Sequence, residues 1–167
     1  MTNTTGWSPG RGAGLIWTAA FNSSDLISLP SGSAVMSSVA DIANGTFYDL
    51  FADVAFELNF ASTTLAVSAA LGLFIYDKFE IDGSNNYYGD NALPSGSQQT
   101  YVPGYGFASS FSPTFINVTQ TLVTGCFRQV ILPPRSFRFV LANNLGVTLG
   151  SSTQFCSYMT YDQNLNA

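Results

Sequence analysis

The chain has 167 residues, which suits one domain with a substantial core, and no apolar run long enough to span a membrane. Charged residues make up only 9% and the net charge is −5, so no basic surface for nucleic acid is predicted. The chain contains no histidine, which removes most catalytic triads, neutral-pH general bases and transition-metal sites. We therefore expect a protein that is not an enzyme and carries no cofactor.

Residues 1–14 are predicted to form a flexible N-terminal arm, because glycine and proline recur through them. Residues 15–167 are then expected to form a single domain. The only two tryptophans, Trp7 and Trp17, lie in or next to the arm. Because a bulky aromatic ring on an arm favours docking on a partner, both are predicted to bind another protein.

The remaining pattern is typical of strands. Residues 48–60 alternate strictly, so their even positions are predicted to face a core and their odd positions to face outward. Residues 71–76 are apolar at both parities, which predicts a strand covered on both faces. Residues 137–143 follow Pro133 and Pro134, end in asparagines, and are predicted to form a central strand. Further strands are predicted at 15–21, 26–29, 34–39, 114–123, 126–132 and 153–161. About eight short strands with glycine and proline turns, and no helical period, predict an all-β, jelly-roll-like antiparallel β-sandwich.

The longest segment predicted to be irregular covers residues 82–112 and is rich in tyrosine and phenylalanine. Loops of this length in a compact domain usually have a function, and aromatic side chains dominate protein interfaces. The region from 101 to 115 has no charged residue and is predicted to be the main contact surface. Two other uses stay open, since the rings could bind a sugar or could cover an open end of the sandwich. The predicted partner-binding residues are Trp7, Trp17, Tyr87, Tyr88, Tyr101, Tyr105, Phe107 and Phe111.

Two weaker signals concern metals and thiols. Asp82 and Asp90 flank an oxygen-rich loop that could hold calcium, but Asp-Gly and Asn-Asn are also ordinary turn formers, and we expect no metal site. Cys126 and Cys156 match no metal or redox spacing. No export signal is visible, so both thiols are expected to be reduced and buried.

Four segments, 31–60, 73–90, 130–149 and 157–163, occur in an order that resembles a group of small virion structural proteins of tailed bacteriophages. The shared features are a Gly/Ser-led strand before Asn-Gly-Thr, an Asp-Gly-x-Asn-Tyr loop after an apolar strand, and a Leu-Pro-Pro strand ending in Asn-x-x-Gly. The resemblance implies a β-sandwich that decorates or cements a virion, with no catalytic residues to transfer.

The expected function is therefore that of a capsid decoration or cement protein. Its partners would be the major capsid protein or other virion proteins and copies of itself, with a trimer as one possible homo-oligomer. It would be located in the virion, after assembly in the host cytoplasm, and would bind neither nucleic acid nor membrane. The alternative is a receptor- or glycan-binding module of a phage tail or fibre.

Overall fold

A computed structural model describes residues 5–9, 17–44, 49–62, 70–81, 84–87, 96–100, 107–111 and 121–165, with side chains at 17–44, 49–62, 70–78, 96–100, 108–110 and 121–162. The described part is a sandwich of two antiparallel β-sheets with one short helix, which confirms the all-β prediction. Its strands are β1 Thr5–Pro9, β2 Thr18–Ala19, β3 Ser33–Met36, β4 Phe51–Asn59, β5 Ala70–Ile81, β6 Ser84–Tyr87, β7 Phe107–Phe111, β8 Leu122–Ile131, β9 Phe137–Asn144 and β10 Phe155–Leu165. The helix, α1, spans Ser23–Leu26.

Each sheet is four strands wide. Sheet A has the order β1-β10-β4-β8, and β2 pairs with β10 beside β1, so the two short strands share one edge. Sheet B has the order β3-β9-β5-β6, and β7 shares with β6 the same edge of β5. From β2 to β5 and again from β7 to β10, each successive strand lies in the opposite sheet. The chain therefore wraps around the core rather than folding as two separate sheets.

The core between the sheets follows the predicted period of two in β4. Ala52, Val54, Phe56 and Leu58 are all buried, while the odd positions between them are partly or largely exposed. They join one apolar cluster with the inward-facing side chains of β9 and β5. The prediction fails at Leu50, which is 50% exposed because it lies before the strand begins.

Residues 71–76 of sheet B are buried on both faces, as the sequence predicted, and β9 is a central strand of this sheet, as was also predicted. A second apolar cluster covers the face of sheet B that points away from sheet A. Its members are Ala34, Met36, Phe74, Tyr76, Val140 and Ala142. Gly72 makes room in this layer, since a Cβ there would lie 2.8 Å from Cε2 of Phe74. Outside this second apolar cluster, the Asp41 carboxylate forms ion pairs with Lys78 at 2.7 Å and with Arg138 at 2.9 Å.

Buried amide side chains connect the loops at one end of the sandwich. Asn143 donates from Nδ2 to the carbonyls of Leu29 and Val147, each at 2.9 Å. Gln154 accepts from the N–H of Asn59 at 2.8 Å and donates back to its carbonyl at 3.3 Å. Both side-chain amides are almost fully buried, so their hydrogen bonds satisfy buried backbone groups that strand pairing does not.

The strand predicted at residues 26–29 is wrong, because α1 begins at Ser23 and ends at Leu26. Asp25 explains the helical turn. Its buried carboxylate accepts from the N–H of Asn22 at 3.1 Å, and from the N–H and hydroxyl of Ser38 at 2.9 and 2.6 Å. A four-residue helix is too short to leave a periodic signal in the sequence.

Two segments predicted to be irregular contain strands. Within residues 1–14, β1 pairs with β10, and within residues 82–112, β6 and β7 pair with β5. The reason is tertiary, since a long neighbouring strand offers a hydrogen-bonding edge that overrides the local preference of glycine-rich sequence. Residues 112–120 are outside the described part, and of the strand predicted at 114–123 only its end falls in β8.

Candidate docking face and its groove

The candidate site is the face of sheet A that points away from the core, called here the docking face. It carries a shallow groove of about 330 Å³. The groove is lined by Trp17, Ala55, Phe56, Glu57, Thr124, Phe155 and Ser157.

Strand register brings the groove together. In the pairing of β10 with β4, Phe155 lies opposite Glu57, and in the pairing of β4 with β8, Glu57 lies opposite Thr124. One row across three strands therefore presents an aromatic ring, a carboxylate and a hydroxyl. Trp17 immediately precedes β2, which pairs with β10, and so lies at the edge of the same face.

Large apolar side chains are exposed on this face. Phe155 is 57% exposed and Trp17 is 47% exposed. Leu122 on β8, which lies opposite Asn59 of β4, is 40% exposed. Covering such surface is favourable by about 25 cal/mol per Å² of apolar area. The face thus has the aromatic and aliphatic anchors that protein interfaces use.

A second exposed patch lies at the opposite end of β4 and β8. Ile131 is 75% exposed, and Leu50 is 50% exposed. The patch is held in place by the backbone, because the N–H of Leu132 donates to the carbonyl of Leu50 at 3.0 Å. The patch and the groove therefore lie at opposite ends of these two strands.

Of two acidic side chains on the docking face, Asp53 is hydrogen-bonded, whereas Glu57 is exposed. Asp53 accepts from the N–H of Gln129 at 2.9 Å and from the hydroxyl of Tyr161 at 2.8 Å. Burial, together with the hydrogen bond and charge of Asp53, raises the pKa of Tyr161 to about 12, so this phenol stays protonated. Glu57, by contrast, is exposed and places a carboxylate in the groove.

Of the residues predicted to bind a partner, only Trp17 has a described side chain, and it is half exposed beside the groove. Trp7 lies in β1, Tyr87 ends β6, and Phe107 and Phe111 begin and end β7, each described by its backbone. Tyr88, Tyr101 and Tyr105 lie outside the described residues. The proposed contact role of all eight residues stays a prediction.

Sequence reasoning missed Phe155, Leu122, Leu50 and Ile131. A signal existed for Phe155, because it alternates with the buried Cys156 in a predicted strand and therefore had to face outward. Its nearness to Glu57 depends on the register between β10 and β4, which no local pattern contains.

The two cysteines are free and lie on opposite faces of sheet A, with β4 between their strands. Cys156 is buried as predicted, whereas Cys126 is only partly buried. Burial raises the pKa of both thiols. The described residues contain no group of three or more His, Cys, Asp or Glu side chains placed to hold a metal ion. Asp82 and Asp90, the possible calcium ligands, lie outside the described part.

No helix in the part of the chain that the structure describes is long and apolar enough to cross a membrane. Comparison of the chain with known protein families, with curated proteins and with solved structures gave no significant match. Inference about function therefore rests on the docking face and on the strand connections.

Proposed function

We propose that the chain is a non-enzymatic structural protein of a tailed-phage virion, and that it decorates or cements the capsid by binding the shell and copies of itself. The observation that carries this proposal is the docking face, where Trp17, Leu122 and Phe155 are exposed on one side of sheet A. A flat sheet with apolar anchors and few charges suits burial against another protein, because little charge must be desolvated.

The strand connections support a jelly-roll topology. If the short insertion β6 is set aside, the eight strands β2 to β5 and β7 to β10 form two four-strand sheets with the orders β2-β10-β4-β8 and β3-β9-β5-β7. The polypeptide passes from one sheet to the other at every step except that from β5 to β7. Jelly rolls of this kind occur in viral capsid proteins and in lectins.

The segments that carry the phage resemblance include the central strands of both sheets and two edge strands of sheet B. Residues 31–60 contain β3 and β4, residues 73–90 contain most of β5 and all of β6, residues 130–149 contain β9, and residues 157–163 lie in β10. The segments on which the proposed resemblance to virion proteins rests thus include the central strands of both sheets. This likeness favours the fold more than the function, since a fold alone does not define an activity.

The docking role is tested by replacing the two aromatic anchors, Trp17→Ser with Phe155→Ser, and measuring co-sedimentation with particles assembled without the chain. Each well-buried anchor contributes on the order of 2 kcal/mol, or roughly 30-fold in affinity, so the double variant should bind far more weakly. Leu50→Ser is the matched control, because it removes a similarly exposed apolar side chain away from the groove. Unchanged particle binding by a correctly folded double variant would contradict the role of this face.

The groove also favours the alternative function, a receptor- or glycan-binding module of a tail or fibre. Trp17 and Phe155 place aromatic rings beside the polar side chains of Glu57, Thr124 and Ser157. Sugar sites combine an aromatic platform with polar neighbours of this kind. A glycan array separates the two functions, since saturable binding that is lost with Trp17→Ser would favour the receptor module.

A further inference from the structure

A second cleft lies at the seam between the two sheets, where β8 at the edge of sheet A lies against β7 beside β5. Its volume is about 360 Å³, within the range of roughly 300–1,000 Å³ of small ligand sites. It is lined by Ile75, Asp77, Ala108, Gln129, Ile131, Leu132 and Pro133. Five of these seven residues are apolar, so the two polar side chains decide what the cleft recognises.

The mouth of the cleft is shaped by a bulge in β8. The register between β4 and β8 shifts between Ala52 and Val54, and Gln129 adopts a φ of 53°. A positive φ is uncommon for a residue other than glycine and is energetically unfavourable. The Asp53 carboxylate stabilises this conformation by accepting the N–H of Gln129. Bulges redirect side chains, and this one directs Gln129 to the cleft.

Among the described residues that line the cleft, Asp77 is the one that carries a charge. Within the described part of the chain its carboxylate forms no ion pair, since both ion pairs there belong to Asp41. Burial raises the pKa of Asp77, and the positive charge of Arg135 offsets this only in part. The carboxylate is thus partly desolvated, and a cation placed in the cleft would restore its lost interactions.

The chemistry of the cleft excludes several ligand classes. The described residues of the lining include no aromatic side chain and so provide no platform for a sugar, and the Asp77 carboxylate repels anions. A purely apolar ligand would bury the carboxylate without compensation. A long side chain with a methylene stem and a cationic end satisfies both the apolar walls and the carboxylate.

We propose that this cleft receives a lysine or arginine side chain of a partner protein, with the stem against Ile75, Leu132 and Pro133 and the cationic end at Asp77. At this cleft the net charge of −5 favours a basic partner, because a second copy would bring the same negative net charge to Asp77. The cleft shares no lining residue with the groove of the docking face, so the two sites can be tested separately.

The test uses n-butylammonium chloride as a minimal lysine side chain, titrated at pH 7 into the ¹⁵N-labelled full chain and followed by NMR. We expect saturable shifts of the amides of Asp77, Gln129 and Leu132. 1-Butanol, which has the same stem without charge, should bind at least 5-fold more weakly. Equal binding of the two probes, or shifts confined to other parts of the sheet, would overturn the proposal.

Two variants locate the interaction. Asp77→Asn should abolish the preference for butylammonium over butanol, while Ala108→Leu should fill the cleft and weaken both probes at least 5-fold. Unfolding curves establish that each variant is folded, and Ala108→Leu keeps the proposal testable if Asp77→Asn is not. Retention of the cation preference by folded Asp77→Asn, or unweakened binding of both probes by folded Ala108→Leu, contradicts the assignment. A change of oligomeric state caused by Asp77→Asn would instead identify the occupant as a second copy, and the partner proposed here would be wrong.

Discussion

Asn143 allows the fold to be tested at a single side chain. It is fully buried at the end of β9, donates two hydrogen bonds from Nδ2 to Leu29 and Val147, and accepts one on Oδ1 from the N–H of Leu145 at 3.1 Å. The carbonyl of Asn143 also accepts from the N–H of Gly32 at 2.7 Å. This residue therefore connects the turn after β9 to the segment before β3.

Asn143→Ala removes three side-chain hydrogen bonds and leaves three buried backbone groups without those partners. A net contribution of about 0.5–1.5 kcal/mol for each bond, with an added cost for unsatisfied buried groups, gives a loss of about 3–5 kcal/mol. For a chain of this size, about 2–4 °C is lost per kcal/mol, so Tm should fall by roughly 6–20 °C. Thermal unfolding followed by circular dichroism measures Tm, and urea unfolding gives the free energy.

Asn144→Ala is the matched control, because the neighbouring asparagine is exposed and its replacement should change stability by less than about 0.5 kcal/mol. Asn143→Asp keeps an acceptor for Leu145 but replaces the donor group by a carboxylate facing two carbonyls. It should be at least as unstable as Asn143→Ala. If Asn143→Ala were as stable as Asn144→Ala, the buried amide would not stabilise this end of the sandwich.

Three further predictions concern charge, thiols and packing. Although burial raises the pKa of Asp41, the hydrogen bonds and charges of its two cationic partners outweigh it and lower that pKa below 3.8. Its stabilisation should be complete above pH 3.8 and lost as pH falls through the folded-state pKa, and Asp41→Asn should lack this acid loss in urea unfolding. With a thiol reagent at pH 8, native Cys156 should not react and Cys126 should react slowly, whereas the denatured chain should show two thiols; fast native labelling of Cys156 would contradict its burial. Gly72→Ala should cost about 1–3 kcal/mol by crowding the Phe74 ring, measurable as a lower Tm, and an unchanged Tm would show that this layer can adjust.

The strands with strong local patterns could be predicted from the sequence. Alternation identified the inward face of β4, where Ala52, Val54, Phe56 and Leu58 are buried, and continuous apolarity identified β5 as covered on both sides. These features are local because burial on one or both faces fixes the period of apolar residues.

Pairings between distant segments could not be predicted. The glycine-rich β1 and the short β7 are strands because β10 and β5 provide edges for them. The helical turn α1 depends on a carboxylate bound to Ser38, which is 13 positions away from Asp25. The groove shows the same limit, since Trp17 was predicted to bind a partner, while its proximity to Phe155 required the sheet register.

Cryo-electron microscopy of virus particles purified from cells that produce the chain tests most directly the proposal that it is a capsid-bound structural protein. We predict density for the two-sheet domain at regularly repeated positions on the shell, with the docking face covered by a neighbouring protein. Density confined to the tail, or particles that lack the chain altogether, would contradict the claim.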